Sequence, residues 1–382
     1  MNKQLIAVGI AVALAAPLVV HAGVEVYGDA RVSVDYATNN DNGRGRGSCN
    51  YNNDYDPTTN TWTNDATVSC QKDKLSVSSN ASYIGFKGDE DLGDGMSALW
   101  QFEQGVDFDT GNWSGDRRPT FVGIGGGFGT VMAGRFDTPY MSATDKYDIF
   151  IDTKADYNAI MGAANSSTAL FDSRVSNTLV YATPDLSGFK AQLAWVMANA
   201  VSGTDTLPIT KSAEKQGAFS MSGNYDNGPV SLAAAYQLDQ KAGLGGVTGK
   251  DAIAWKVGGS YTIMDATTLA LIYENVDLGG TVKDRNAFYV SASHKIGNTT
   301  IKLAYANADK CGGTVCDKTG ATQISAGITQ SLTRNTELYA LYTQVSNDNG
   351  ASYGLAYGPA NAVTGKDESA FSFGVNHKFS SK

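Results

Sequence analysis

The chain has 382 residues, of which 42% are hydrophobic, 18% are charged and 43 are glycine, and its formal net charge is −9. Low charge with abundant glycine and tyrosine argues against an ordinary soluble enzyme, and a mean hydropathy of −0.23 is too polar for a bundle of membrane helices. An acidic chain also lacks the basic stripes that nucleic-acid phosphates require, so we expect no nucleic-acid partner.

The first 22 residues have the three parts of a secretory signal peptide. A positive start at Lys3 precedes the apolar run 5–20, and the small residues Val20 and Ala22 fit a cleavage site after residue 22. We therefore predict a signal peptide over 1–22 and one mature unit over 23–382, since no Pro-rich or Ser-rich linker divides the chain. Cleavage removes one basic residue, so 28 basic residues against 38 acidic ones leave a net charge of −10.

The four cysteines fall in two polar stretches of this exported chain. Cys49 and Cys70 lie in the first stretch, and Cys311 and Cys316 lie in the second. An even count in an oxidising compartment favours two local disulfides, each closing its own loop. Neither pair has the histidines and the spacing of a metal site, so we expect no bound metal.

The mature chain is patterned as β-strands of about ten residues. Between Val24 and Tyr36, even positions are mainly apolar or glycine, and odd positions include Asp29, Arg31 and Asp35. The same period of two returns in later segments, at 189–195, 253–261, 301–305 and 371–379. This period is that of a strand with one apolar face and one polar face, and helical spacing fits none of these segments.

The connections between strands alternate between two lengths. Seven short ones carry turn residues, at 92–95, 125–129, 184–188, 226–229, 263–266, 296–298 and 332–335. Eight long polar ones lie at 38–77, 109–117, 138–175, 198–217, 240–251, 277–285, 309–320 and 346–369. Fifteen connections join sixteen strands and leave both termini on the short-turn side, where the first and last strands can pair. The sequence therefore predicts an all-β, closed, antiparallel barrel.

The same alternation would occur in a soluble β-sandwich. Short turns at one end and long loops at the other are typical of bacterial outer-membrane barrels, and closure leaves no unpaired strand edge in lipid. Sixteen strands also enclose an aqueous channel. We thus predict a 16-stranded transmembrane β-barrel with short periplasmic turns and long extracellular loops, in contact with lipid and lipopolysaccharide of a Gram-negative outer membrane.

Several blocks in the first half of the chain resemble the Gram-negative general porins. These are 81–95, 118–123, 126–131, the run Gly134-Arg135-Phe136-Asp137-Thr138-Pro139, and 174–184, and the Phe-rich end at 371–379 is similar to that family's closing strand. The resemblance implies a homotrimer that passes ions and small hydrophilic solutes by passive diffusion. It also implies that the third long loop, 138–175, folds into the lumen and narrows it.

In such a channel, opposed charges at the constriction sort solutes by size and sign. The loop candidates are four acids, Asp145, Asp148, Asp152 and Asp156. By position in the resemblance, Arg118, Arg135 and Arg174 would face them, and Asp29 and Arg31 share the polar face of the first strand. The simpler alternative is that these are solvated loop acids and lumen arginines without a role in selectivity.

Two departures from the family bear on selectivity. The family commonly carries Arg where this chain has Tyr83, and often Arg where it has Val180, so the basic strip opposite the inward loop is thinned. Together with the net charge, this favours a mild preference for cations. The family also usually ends on Phe, whereas here Ser380-Ser381-Lys382 follows Phe379.

Two other functions compatible with a barrel stay open. The long loop 38–77, with Tyr51, Tyr55 and Trp62, could serve adhesion or phage reception, and an aromatic track along the lumen would indicate a channel for oligosaccharides. An enzyme is not expected: after cleavage only His294 and His377 remain, and no nucleophile elbow occurs. Nor does any motif call for a cofactor.

Overall fold

The computed structural model describes residues 23–40, 54–56, 61–63, 73–115, 117–162, 171–197, 217–240, 250–279, 284–312, 318–357, 362 and 364–381. The strands are β1 (Glu25–Asn40), β2 (Asp54–Asp56), β3 (Thr61–Thr63), β4 (Asp73–Ser79), β5 (Tyr83–Gly93), β6 (Met96–Asp107), β7 (Asn112–Trp113), β8 (Thr120–Gly126), β9 (Gly129–Asp137), β10 (Arg174–Ala182), β11 (Phe189–Val196), β12 (Ala218–Asn227), β13 (Val230–Asp239), β14 (Ala252–Ile263), β15 (Thr267–Asp277), β16 (Arg285–Ile296), β17 (Thr299–Ala308), β18 (Ala321–Ser331), β19 (Thr336–Asn347) and β20 (Asp367–Ser380).

These strands form one closed antiparallel barrel of sixteen strands. The sheet contains 18 hydrogen-bonded segments, and β2 and β3 form a separate hairpin. β4 and β5 both pair with β1 and form a single barrel strand that is interrupted at 80–82, and the two-residue β7 only extends the pairing of β6. β1 closes the barrel on β20, from Tyr27 opposite Ser380 to Asn40 opposite Asp367. The predicted fold class is thereby confirmed.

All seven predicted short turns join neighbouring strands at one end of the barrel, and the strand ends that the long connections join lie at the other end. The first long loop is shorter than the predicted range 38–77, because β1 continues to Asn40 and β4 begins at Asp73. Backbone pairing persists there, with Thr38 opposite Asp73, although the side chains are polar. The polar residues at the ends of these two strands were therefore wrongly assigned to the loop.

The apolar face of the strands is the exposed outer surface. In β1, Val34 and Tyr36 are 48% and 43% exposed, whereas Ser33 and Asp35 between them are 1% and 0% exposed. In β20, Phe371 and Phe373 are exposed and the intervening serine is buried. A soluble sandwich would bury its apolar face, so this inversion excludes a sandwich and fits a barrel surrounded by lipid.

The chain between β9 and β10, residues 138–173, is called loop 3 below, and its described parts, 138–162 and 171–173, lie in the lumen. It contains helix α1 (Pro139–Ser142) and two 3-10 turns, Asp145–Tyr147 and Tyr157–Ala159. Its large apolar side chains form a buried cluster inside the barrel, namely Tyr140, Tyr147, Tyr157, Ile160, Met161 and Phe171. Among the described residues, no helix combines the length and the apolar character needed to cross a membrane.

Candidate functional site: the lumen constriction

Loop 3 follows the inner wall of the barrel away from β9. The Tyr140 N–H donates to Ser220 of β12 over 2.9 Å, and the Ser291 hydroxyl of β16 donates to the Tyr147 carbonyl over 3.1 Å. Farther along, the Gln323 amide of β18 donates to a loop carbonyl over 3.2 Å. Polar side chains at inward strand positions therefore satisfy the loop's backbone groups, which otherwise would be buried without partners.

Two buried ion pairs fasten the second half of loop 3 to this wall. Lys256 Nζ of β14 lies 2.8 Å from Asp172 Oδ1 of the loop, and both side chains are fully buried. Arg285 of β16 pairs with Glu274 of β15 over 3.0 Å, and Glu274 accepts the loop N–H of Gly162 over 2.9 Å. Removing one partner of such a pair leaves an uncompensated buried charge, at a cost of about 3–5 kcal/mol.

Two of the predicted loop acids are turned into the protein. Asp148 accepts the N–H groups of Phe150 and Tyr157 over 2.9 and 3.0 Å and the Tyr289 hydroxyl over 3.1 Å. Asp156 caps a 3-10 turn through the N–H of Asn158 over 2.8 Å. Both acids are buried, at 5% and 4% exposure, so neither carboxylate projects into open lumen.

Burial also changes the protonation of this region. Desolvation raises the pKa of Asp148 to about 6, although three donors to the carboxylate oppose the shift. Desolvation likewise raises the pKa of Asp145 to about 8, against the lowering effect of Lys256, and Asp145 accepts the Tyr157 hydroxyl over 3.3 Å. Near neutral pH, Asp145 is therefore mostly protonated and contributes little negative charge to the lumen.

The tip of loop 3 crosses to β1 and to the last long loop. Asp152 forms an ion pair with Arg31, which also pairs with Asp29 over 2.7 Å. Lys154 Nζ lies 3.6 Å from Asp35 of β1. Of the four predicted loop acids, Asp152 is the one that meets a predicted basic residue, and Asp29 and Arg31 both face inward as the strand pattern predicts.

A second cluster lies on the wall formed by β1, β5, β6 and the chain before β8. Arg118 Nε donates to Glu103 over 3.0 Å, and the Arg118 guanidinium stacks 4.2 Å from the centre of the Tyr83 ring. The other oxygen of Glu103 accepts the Tyr27 hydroxyl over 2.8 Å. Arg118 thus faces the lumen, with its charge compensated by a buried carboxylate.

Arg135 and Arg174 differ from the prediction, because the structure places both on the outer side. Arg135 of β9 shares its face with Val131, which is exposed, and its guanidinium donates to Ser176 of β10 over 2.7 Å. Arg174 lies opposite Asp137 in the sheet and pairs with it over 2.5 Å. The inward residues of these strands are instead mostly apolar, and Val180 belongs to a buried apolar cluster with Phe121, Met132 and Phe136.

Sequence reasoning missed several residues of the constriction. Glu103, Glu274 and Arg285 occupy inward strand positions, so the period of two could have placed them on the lumen side, but their partners are distant in sequence. Tyr357 lies in a loop, where no pattern marks it. Cys311 is disulfide-bonded; its predicted partner and the cysteines of the first stretch lie outside the described residues.

The geometry is that of a wide barrel whose lumen is narrowed by loop 3. A family model for Gram-negative porins matches residues 7–350. The chain belongs to the Gram-negative porin family. It is thus an outer-membrane protein, and the resemblance stated from the sequence is confirmed.

Individual porins are similar over most of this chain. Outer membrane porin protein 32 of Delftia acidovorans is 29% identical over 316 residues, which cover 78% of this chain and 85% of the relative. The solved structure of an anion-selective porin from Comamonas acidovorans is similar with a TM-score of 0.71 and 23% identity, covering 94% of this chain and 99% of that one. OmpT of Vibrio cholerae, solved in a trimer form, has a TM-score of 0.60 and 15% identity, covering 94% and 99%.

Proposed function

We propose that this porin is a passive diffusion channel for ions and small hydrophilic solutes, with a mild preference for cations. The observation that carries the preference is charge pairing in the lumen. Seven described inward cations lie within 4 Å of carboxylates: Arg31, Lys87, Arg118, Lys146, Lys154, Lys256 and Arg285. Because Arg31 meets two acids, eight carboxylates lie against these seven cations, so the positive charge of these seven is compensated.

The residues on the barrel wall opposite loop 3 also favour a preference for cations. The Comamonas acidovorans neighbour is described as anion-selective, but this chain carries Tyr83 and Val180 where the family commonly or often has Arg. Arg118, the arginine that remains on this wall, is held by Glu103. A fixed charge acts on a passing ion only through its uncompensated part, so we infer a weak field that favours cations.

Reversal potentials in a KCl gradient across a planar bilayer test this proposal. Wild-type protein should give a potential with the sign of K⁺ permeation, and Tyr83→Arg, beside Arg118 on the lumen wall, should shift it toward Cl⁻. Glu90→Gln, in the exposed periplasmic half of β5, changes charge away from the constriction and serves as a control. An anion preference of the wild type would refute the proposed selectivity.

We further propose a homotrimer whose subunits meet at the outer face of β8–β10. Arg135 is six residues from Gly129, at the short-turn end of β9, and Val257 is six residues from Ile263, at the short-turn end of β14. The two residues therefore lie at about the same height in the barrel wall, and Val257 is exposed there. An arginine on the lipid face near the bilayer midplane costs about 2–4 kcal/mol. A neighbouring subunit that covers Arg135 and the Arg174–Asp137 pair would remove this cost, and the trimer form of the OmpT neighbour agrees with it.

The remaining outward face would contact lipid and, in the outer leaflet, lipopolysaccharide. Exposed apolar side chains continue around β11–β20, as Trp195, Leu303 and Phe373 illustrate. We also propose cleavage after residue 22 and disulfides Cys49–Cys70 and Cys311–Cys316. Intact mass and non-reduced peptide mapping of the mature protein measure both, and any other pairing would contradict the proposal.

A further inference from the structure

The last long connection, residues 348–366, is called loop 8 below, and its described residues 351–355 also lie inside the barrel. Its residues Ala351, Tyr353 and Leu355 are buried, and they belong to the same apolar cluster as Tyr157 and Ile160 of loop 3. Loop 8 is therefore packed against loop 3 rather than extended into the medium.

The base of loop 8 is fixed by its flanking strands. The Asn347 side chain donates to the Tyr353 carbonyl over 2.8 Å and to the Lys366 carbonyl over 2.7 Å, and it accepts the Tyr353 N–H over 2.9 Å. Glu368 accepts the N–H of Leu355 over 3.0 Å. These bonds hold Tyr353, Leu355 and Lys366 to β19 and β20, and the described segment 353–357 starts from this attachment.

That segment reaches the tip of loop 3. The Tyr357 hydroxyl donates to Asp152 Oδ1 over 2.8 Å, and Lys154 of loop 3 donates to the Tyr357 carbonyl. The same Asp152 carboxylate pairs with Arg31 of β1. Loop 8 and β1 thus hold the tip from two sides.

Both residues in the contact have left-handed backbones. Tyr357 has φ 50° and Asp152 has φ 55°, a region that non-glycine residues seldom adopt and that costs about 1–3 kcal/mol each. Such conformations persist when the surroundings hold them, and here the hydroxyl bond and the lysine bond join the two residues. The contact therefore involves the backbone conformation of both loops as well as their side chains.

We propose that loop 8 latches the tip of loop 3, and that Tyr357 is the positioning residue which fixes Asp152 at the constriction. Although Tyr357 is an outer-loop residue, it would determine how long the constriction keeps its full aperture. This inference rests on the proposed channel function for its consequence, but the latch itself is a contact that can be measured without current.

Amide hydrogen exchange of residues 149–156 in the purified, detergent-solubilised protein tests the latch. Tyr357→Phe keeps the ring and removes the hydroxyl. We expect exchange of this segment to become about tenfold faster, which corresponds to about 1.4 kcal/mol for a bond to a charged acceptor. The matched control is Tyr342→Phe, which removes a hydroxyl bond of 2.9 Å to Gln344 on the outward face and should leave the segment unchanged.

Bilayer recordings on the same samples separate the two proposals. If the wild type conducts, Tyr357→Phe should close more often than the wild type and Tyr342→Phe should not, with unchanged heat-dependent gel mobility showing an intact barrel. If the wild type does not conduct, the proposed function fails while hydrogen exchange still decides the latch. Exchange within twofold of the wild type in both Tyr357→Phe and Tyr357→Leu would overturn the latch.

Discussion

Glu103→Gln should move the selectivity of the channel toward anions. The change keeps the size of the side chain and its oxygen acceptor, but it removes the charge that compensates Arg118 over 3.0 Å. The Arg118 guanidinium stays on the lumen side, stacked on Tyr83. The variant therefore makes the wall opposite loop 3 more positive by one unit of charge.

The size of the effect follows from Coulomb's law. A unit charge about 7 Å from the ion path changes the energy of a monovalent ion by about 0.6 kcal/mol in water, and 0.1 M salt reduces this to about 0.3 kcal/mol. The added positive charge raises the energy of a passing cation by this amount and lowers the energy of a passing anion by the same amount. The K⁺/Cl⁻ permeability ratio should therefore fall about threefold.

The assay is the reversal potential in a tenfold KCl gradient, measured for the wild type, Glu103→Gln and the control Glu90→Gln. Glu90 is exposed in β5 near a short turn, so its variant makes the same change in net charge away from the constriction. If both variants shift the potential equally, the net charge and not the Glu103–Arg118 pair controls selectivity. A shift of Glu103→Gln toward cations would refute the reasoning directly.

Three further results are expected. Lys256→Met leaves Asp172 buried without its 2.8 Å partner, so loop 3 should be cleaved by added protease at least tenfold faster than in the wild type, and adding Asp172→Asn should restore much of the resistance. The pKa values of docked Asp145 and Asp148 are about 8 and about 6, above the value near 4 that each carboxyl has in a free loop. Docking is therefore strongest below about pH 4 and weakens as the pH rises from about 4 to about 8, which hydrogen exchange of 144–149, corrected for intrinsic rates, should show. Arg135→Ala should lower the temperature at which the oligomer dissociates on gels by roughly 5 °C, and an unchanged temperature would place the subunit interface elsewhere.

The sequence predicts the barrel well where each strand has one polar and one apolar face. β1 and β20 follow this rule, and their paired register places Asp35 inside and Phe371 outside. The rule fails in β9, where Met132 faces inward and Val131 faces outward, so both faces are apolar and alternation gives no orientation. Arg135 was assigned to the wrong side for this reason.

In β10, a β-bulge also prevents the sequence pattern from predicting which residues face inward. The register shifts between Val175 and Thr178, where Asn177 has φ 55°. A bulge of one residue exchanges the faces of every residue beyond it, so Arg174 and Val180 lie on opposite sides although both numbers are even. Sequence patterns do not locate such a bulge.

The constriction could be predicted as a region but not as a set of contacts. Its acids were identifiable by type, yet Asp148 serves the loop's own backbone while Asp152 meets Arg31. This difference arises from the path of loop 3 across the barrel, which joins residues more than 100 positions apart. Ion pairs such as that of Lys256 and Asp172 likewise depend on the folded loop.

The central claim is that the apolar strand faces meet lipid while the charged faces line an open aqueous passage. Current through the purified protein in a planar bilayer tests this most directly. We predict discrete, reproducible conductance steps with a reversal potential of the sign of K⁺. A barrel that is folded by its heat-dependent gel mobility and inserted in the bilayer, yet gives no conductance steps, would contradict the account.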